Sequence, residues 1–381
     1  MSTIQTNAIV DASGGNTVTV NGISPLANTT RFARNIIING DMTIAQRGTS
    51  ANTTGGYHNI DRWNYQHSTD GGFSGTQSSD VPSGTGFTKS LLWTVTSADS
   101  SFSSGQYAYI RQTVEGQNCA HLKLGTSDAK TITLSFYVKS SVTGTFSGAM
   151  CNDGFNRSYP YTYTINSANT WEKKSVTIPC DTSGTWRTDF GRGFFITWAL
   201  GSGSLYGSGT AGQWNASGQI AAAGTTNLMA TNGATWYMTG CQVEVGDTAT
   251  DFEHRTYGDV LAYCQRYYYQ IGGASQGGGG FDYLAHGFAD TTTRAIHLIQ
   301  FPQEMRAAPT LVTSQTAGEF YWRAPIGNPT SPTATSLPTL GGSSKVWGRV
   351  DCNGSGFSAG TGCFFEQNNS ANTFIAFNAE L

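Results

Sequence analysis

Apolar and polar side chains alternate along most of this chain. The segment TITLSFYVKSS (131–141) shows it best, with Ile132, Leu134, Phe136 and Val138 interleaved with Thr131, Thr133, Ser135, Tyr137 and Lys139. In an extended backbone a period of two puts the four apolar side chains on one face, so the pattern predicts a strand. QYAYIRQTVEG (106–116), EKKSVTIP (172–179), GRGFFITWAL (191–200) and TWYMTGCQVEV (235–245) predict further strands. Long Gly/Ser/Asn/Thr segments, ANTTGGYHN (51–59) and GSGSLYGSGTAGQW (201–214), read as loops. Roughly 8 to 10 strands without a convincing helix predict a jelly-roll β-sandwich over residues 35–256.

The period changes once. In TYGDVLAYCQRYYYQ (256–270), Val260, Leu261, Cys264, Tyr267 and Tyr268 fall at i, i+1, i+4, i+7 and i+8. That is an apolar stripe at helical spacing, and Asp259 can serve as its N-cap. IGGASQGGGG follows, so residues 257–280 read as one connecting α-helix and a Gly-rich linker. Beyond them alternation resumes in YLAHGFAD, RAIHLIQFP, TLVTSQT, EFYWRA, KVWGRVD, GCFFEQN and FIAFNAEL, which predicts a smaller C-terminal β-sandwich over 281–381. Residues 1–34 hold only two short strand-like pieces, TNAIV and NTVTVNGI, too little to fold alone. The expected class is therefore all-β: a jelly roll, one helix and a second, smaller sandwich.

Composition narrows the function classes. The chain is 38% hydrophobic and 12% charged, with 48 glycines and 12% aromatic residues. This suits sheets with long loops and does not suit helical bundles. A net charge of −3 without any basic run argues against nucleic-acid binding. No apolar run approaches the roughly 18 residues of a membrane span, and MSTIQTNAIVDASGG lacks a Sec signal. The seven cysteines are widely spaced without a CxxC pair, which predicts reduced, mostly buried thiols and no zinc, with a Cys352–Cys363 hairpin staple as the alternative. No cofactor or metal is expected.

Several stretches carry a resemblance. NIIINGDMTIAQRGTS (35–50) with YHNIDRW (57–63), TLSFYVKSSVTGTFS (133–147), and QVEVGDTATDFEHRTYGDVLAYCQRYY (242–268) resemble, in this order, the jelly-roll module of phage tail fibres and related virion appendages. FPQEMRAAPTL (301–311) resembles the first hairpin of the small domain that often follows it. The resemblance covers roughly residues 35–312. It implies a phage structural protein, usually a homotrimer, assembled in the host cytoplasm and carried on the virion as a tail appendage. Residues 1–34 then attach to other tail or adaptor proteins, and residues 281–381 form a tip that meets a host glycan or receptor. The module is similar in fold to carbohydrate-binding modules, from which sugar binding is often inferred.

The chemistry expected from the residues is binding. No GxSxG, HExxH or P-loop occurs, and no spacing singles out a carboxylate pair for glycoside hydrolysis. Asp251 and Glu253 read as a strand end feeding the helix, His254 as part of a surface ion network, and His286 and His297 as ordinary strand histidines flanking a hairpin. Asp61-Arg62-Trp63 reads as a buried arginine bond beside a core tryptophan. The sugar-contact candidates are Tyr206 and Trp214 on a Gly/Ser-rich loop, the consecutive Tyr321, Trp322 and Arg323, and Trp347, which shares a strand face with Arg349. Leu261, Cys264, Tyr267 and Tyr268 are expected to pack at the joint or between subunits. The function expected is a non-enzymatic tail fibre mediating host attachment. A head-decoration or tail-adaptor protein and a polysaccharide depolymerase are the alternatives.

Overall fold

The computed structural model describes residues 34–49, 51–273, 283–314, 319–323, 334–367 and 373–381. The expected attachment segment, apart from Arg34, and the glycine run of the linker lie outside the described residues.

The first sandwich is built from two antiparallel sheets. One has the order β1 (Gly56–Tyr57), β2 (Trp63–Ser68), β5 (Tyr107–Glu115), β10 (Arg192–Ser202), β7 (Gly144–Asn152) and β8 (Ser158–Ile165). The other has the order β3 (Gly72–Ser78), β4 (Ser90–Ser97), β11 (Thr235–Val245), β6 (Thr131–Ser140) and β9 (Glu172–Pro179). A four-residue helix, α1 (Gly116–Cys119), follows β5. Without β1 to β3 the orders are β5-β10-β7-β8 and β4-β11-β6-β9. Only β7 to β8 stays within one sheet, which is the double Greek-key winding of a jelly roll.

Alternation sets the core. Ile132, Leu134, Phe136 and Val138 on β6 and Phe194, Ile196, Trp198 and Leu200 on β10 are all completely buried between the sheets. Trp63 meets Trp198 at 5.4 Å, and Trp93 stacks on Phe73 at 3.8 Å. Each such ring adds about 1.5–3 kcal/mol of apolar burial or more. A bulge in β11 turns on Gly240, at φ +62, where a Cβ would strike Phe87.

The helix is shorter than its sequence stripe and starts earlier. It runs over α2 (Tyr257–Gln265). The N-cap is Thr256 rather than Asp259: the Thr256 hydroxyl oxygen accepts from the Asp259 amide and donates to the Asp259 carboxylate, a reciprocal cap. Val260 and Cys264 bury against Ile44, with Leu261 and Ile38 partly buried beside them. Tyr267 and Tyr268 are not helical. Tyr268 opens β12 (Tyr268–Gly272), whose five residues pair with β20 (Phe374–Asn378), so the second sandwich begins at 268 rather than 281. A Tyr-rich run fits a strand at least as well as a helix, and a partner strand decides between them.

The second sandwich faces a three-stranded sheet, β12-β20-β15 (Thr310–Thr313), against a six-stranded one. The latter has the order β16 (Phe320–Arg323), β19 (Gly362–Gln367), β13 (Tyr283–Ala289), β14 (Arg294–Gln300), β18 (Trp347–Asn353) and β17 (Thr339–Ser343). Phe301, Phe320, Val350, Phe365, Ile375 and Phe377 form its core. All seven cysteines are free and buried. No helix among the described residues is long and apolar enough to cross a membrane.

A polar joint fixes the two sandwiches together. Arg62 has φ +72, a region non-glycine residues seldom occupy. From there it pairs with Glu380, donates to Thr113 O at 2.7 Å and lies 3.5 Å over the Tyr267 ring. Glu115, at the end of β5, accepts from Arg266 Nε and Nη2 at 3.0 and 2.7 Å and from the Tyr267 hydroxyl at 2.7 Å. Arg47 lies 3.5 Å over the Tyr268 ring, and Tyr57 donates to Leu381 O at 2.8 Å.

Candidate functional site

The outer face of the β1-β2-β5-β10-β7-β8 sheet is covered over β10, β7 and β8 and partly exposed at Tyr107, Arg111 and Gln66 on β5 and β2. Over β10, β7 and β8 lies the chain's own loop, residues 203–224. Thr197 Oγ1 donates to Ile220 O at 2.9 Å, Ala222 N to Ser147 Oγ at 2.7 Å and Gln219 N to Ser158 Oγ at 3.1 Å. Hence Phe195, Thr197 and Ala199, which point away from the core, are buried as well. The loop reaches β5, where Ile220 and Ala221 pack with Tyr109 and Tyr206 meets Tyr107.

On β5 the parity is plain. Ala108, Ile110 and Val114 enter the core, so Tyr107, Tyr109 and Arg111 point to the other face. Register places Asn64 and Thr197 on either side of Arg111, and Gln66 and Ala199 on either side of Tyr109. From here a run of rings climbs the edge of the loop. Tyr109 contacts Tyr107 at 5.4 Å, Tyr107 contacts Tyr206 at 5.6 Å, Tyr206 contacts Phe155 at 6.0 Å and Phe155 contacts Phe195 at 5.8 Å. Two guanidiniums flank the end of this arc, Arg111 and Arg192, at 5.4 and 5.1 Å from the Phe195 ring. Tyr107, Arg111, Phe155 and Tyr206 each keep part of their surface in solvent.

The ionisable groups suit binding. Burial pushes the Tyr109 phenol up to about 12, with Arg111 opposing, so it remains a hydrogen-bond donor at neutral pH. The bordering carboxylates are engaged: Asp153 by Arg192 at 2.7 Å and Arg187 at 3.5 Å, and Glu115 by Arg266 and Tyr267. A half-buried row of rings with hydroxyls and a guanidinium beside it offers flat apolar faces and directed donors together.

Of the residues singled out in the sequence, Tyr206 lies in this arc. Trp214 does not. It sits at the β8–β9 edge between Tyr159 and Trp186, at 5.4 and 5.6 Å, and its indole N–H donates to Pro179 O at 2.7 Å. It closes the open edge of the core. Trp347 is 37% exposed on the outer face of the distal sheet, where Arg349 pairs with Asp351 at 2.8 Å. Tyr321 is half-buried opposite Glu366, while the side chains of Trp322 and Arg323 lie outside the described residues. Phe288, Leu298 and Phe364 are exposed with Trp347 on that sheet. The candidates therefore do not converge on one surface.

Three smaller expectations change. Residues 246–256 form no strand, and Glu253 accepts from Asn35 N at 2.6 Å and from Arg255 at 3.1 Å instead of feeding the helix. His254 packs on the Phe87 and Phe252 rings at 5.2 and 5.0 Å. Arg62 bonds to a backbone carbonyl as expected, and its carboxylate partner is Glu380 in the other sandwich rather than its neighbour Asp61. Tyr107, Tyr109 and Arg111 were not among the candidates, although the alternation in YAYIR signals their shared face.

A second concavity of about 370 Å³ opens beside α1, lined by Cys119, Leu124, Lys123, Asp128 and Arg187 among others. Its two cations are already paired, Lys123 with Asp128 and Arg187 with Asp189 and Asp153. Among the described residues no group of three metal-ligating side chains converges.

No protein-family model and no curated protein matches the chain. Among solved structures it is similar to the enzymatically active domain of bacteriophage CBA120 tailspike protein 4, at 14% identity and a TM-score of 0.31 over 59% of this chain. The match spans 25% of that tailspike chain. A CBM4 structure matches at 14% identity and a TM-score of 0.28, over 55% of this chain and 98% of its own. TmCBM61, in complex with beta-1,4-galactotriose, matches at 7% identity and a TM-score of 0.29, over 56% and 99%. The jelly-roll assignment rests on this chain's own strand order.

Proposed function

We propose that this chain is a non-enzymatic, glycan-binding tail-fibre protein of a phage virion. The observation that carries the binding reading is the arc Tyr109–Tyr107–Tyr206–Phe155–Phe195 along the loop's edge on a jelly-roll face, where Tyr107, Tyr206 and Phe155 keep part of their surface in solvent. Ring faces stack on pyranose rings, and the neighbouring hydroxyl and guanidinium donors read sugar oxygens. The engagement of Asp153 and Glu115 by arginines supports binding over hydrolysis, since a glycosidase needs two carboxyls free at roughly 5–10 Å. The sequence resemblance over residues 35–312 supports the phage setting, assembly in the host cytoplasm and a place on a tail appendage. The exposed Phe288, Leu298, Phe364 and Trp347 support a homotrimer, whose subunits would cover such an apolar sheet face.

The test is a glycan array of bacterial surface polysaccharides probed with the full chain, run with a reducing-end assay and a solution mass measurement. Saturable binding without new reducing ends, by a trimer, is expected. Release of reducing ends would make it a depolymerase. Absence of binding to any glycan would favour a decoration or adaptor protein.

A further inference from the structure

The arc contains an arginine that nothing in the protein uses. Every other arginine whose side chain is described donates to a carboxylate or a backbone carbonyl. Arg157 is bidentate on Asp181, Arg192 pairs with Asp153, and Arg306 donates to Ala379 O, Glu380 O and Phe190 O. Arg111 alone among the arginines whose side chains are described has neither an ion pair nor a hydrogen bond, and its Nε is buried without a partner. It lies beside the Phe195 ring and acts on the Tyr109 and Tyr57 phenols only through its charge. The adjacent groups are spent: Thr197 Oγ1 on Ile220 O, Asn64 Oδ1 on the Gln66 amide, and Asp153 on Arg192. Leaving a partly buried guanidinium unbonded on a rigid central strand costs desolvation without compensation. The planar fork of donors it presents matches a carboxylate or phosphate bidentately.

We infer that the face selects an acidic glycan, with Arg111 binding a sugar oxyanion while the Tyr107–Tyr206 arc stacks on the ring that carries it. This rests on the glycan-binding reading and names its ligand class. The anion is a uronate-type carboxylate or a phosphate ester, since both fit the same fork. Arg192, 5.1 Å from the Phe195 ring, is already neutralised by Asp153, so the uncompensated guanidinium beside that ring is Arg111.

The test measures binding of the full chain to three polymers: oligogalacturonate, poly(glycerol phosphate) and neutral oligogalactose of matched length. Each is run with wild type, Arg111→Gln and Arg111→Lys. Wild type is expected to prefer one acidic polymer over the neutral one by about tenfold or more, the range of a charge-assisted bidentate contact. Raising salt should erode that preference. Arg111→Gln should abolish it, lowering binding of the acidic polymer to that of oligogalactose. Arg111→Lys should retain part, because the charge stays and the fork is lost. Whichever acidic polymer wins assigns the anion. Equal binding of acidic and neutral polymers by wild type overturns the inference and leaves the glycan reading standing. Absence of binding to all three, together with a blank array, overturns both. Should Arg111→Gln fail to fold, the Arg111→Lys variant and the salt dependence decide on their own.

Discussion

Glu380 holds the joint between the sandwiches, and its removal has a calculable cost. The Arg62 and Glu380 side chains are 1% and 5% exposed, and Arg47 reaches the same carboxylate at 3.3 Å. Burial pulls the Arg62 guanidinium down, but Glu380 together with Tyr267, Tyr57 and Cys264 outweighs it and holds Arg62 above its ordinary value. Glu380→Gln therefore leaves a buried, charged arginine facing an amide. Removing one partner of a buried pair costs about 3–5 kcal/mol. Thr113 O and the Tyr267 ring still serve Arg62, so the lower end, about 3 kcal/mol, is expected. Urea unfolding of the full chain followed by tryptophan fluorescence measures it. Asp128→Asn is the control, because the Lys123–Asp128 pair is 53% and 68% exposed and an exposed pair contributes about 0.2–1 kcal/mol. The two sandwiches should also cease to unfold together in Glu380→Gln. A loss below about 1 kcal/mol, equal to that of the control, would refute the reasoning that this pair is desolvated and binding.

Other outcomes follow from the same structure. Burial raises Asp61 from its ordinary 3.8 to about 6, against the pull of Arg47. Its folded form holds the proton more tightly, so stability from this group is present below pH 3.8 and about 3 kcal/mol is lost as pH rises through 6. Asp61→Asn should flatten that part of the first sandwich's pH profile in urea titrations. In the second sandwich burial lowers His297 from 6.5 to about 4, so stability is lost as pH falls through that window, again by about 3 kcal/mol. Hydrogen exchange at pH 4.5 should show the second sandwich opening first. All seven thiols are buried, and burial pushes Cys119 and Cys180 up to about 12. A thiol reagent at pH 8 should label none of them before unfolding and all seven after it.

Much of the fold was legible because strand pairing obeys local parity. EKKSVTIP and TWYMTGCQVEV coincide with β9 and β11, and the alternation of 131–141 gives the inner face of β6 residue by residue. The near-continuous apolar run GFFITWAL carried a further signal, since burial of both faces removes alternation. It announces that something covers β10 on the outside, and the loop 203–224 does so. Tyr268 was misread because its spacing from Cys264 fits a helix, while its strand partner Asn378 lies 110 residues away. The Arg62–Glu380 pair spans 318 residues and leaves no local trace. The site was half legible. Tyr206 follows from loop composition, whereas Trp214 in the same loop turns inward because Pro179 O is there to accept its N–H. Arg111 could be placed on the outer face from YAYIR. That it alone lacks a partner depends on where every carboxylate ends up.

The arc and the distal sheet make competing claims to the ligand, and affinity electrophoresis of the full chain through host surface polysaccharide separates them. Wild type, a Tyr107→Ala/Tyr206→Ala double variant and Trp347→Ala would run side by side, with folding checked by circular dichroism. The arc predicts that wild type and Trp347→Ala are retarded alike and that the double variant runs free. Retardation lost in Trp347→Ala and kept in the double variant would contradict the account and move the ligand to the distal sheet.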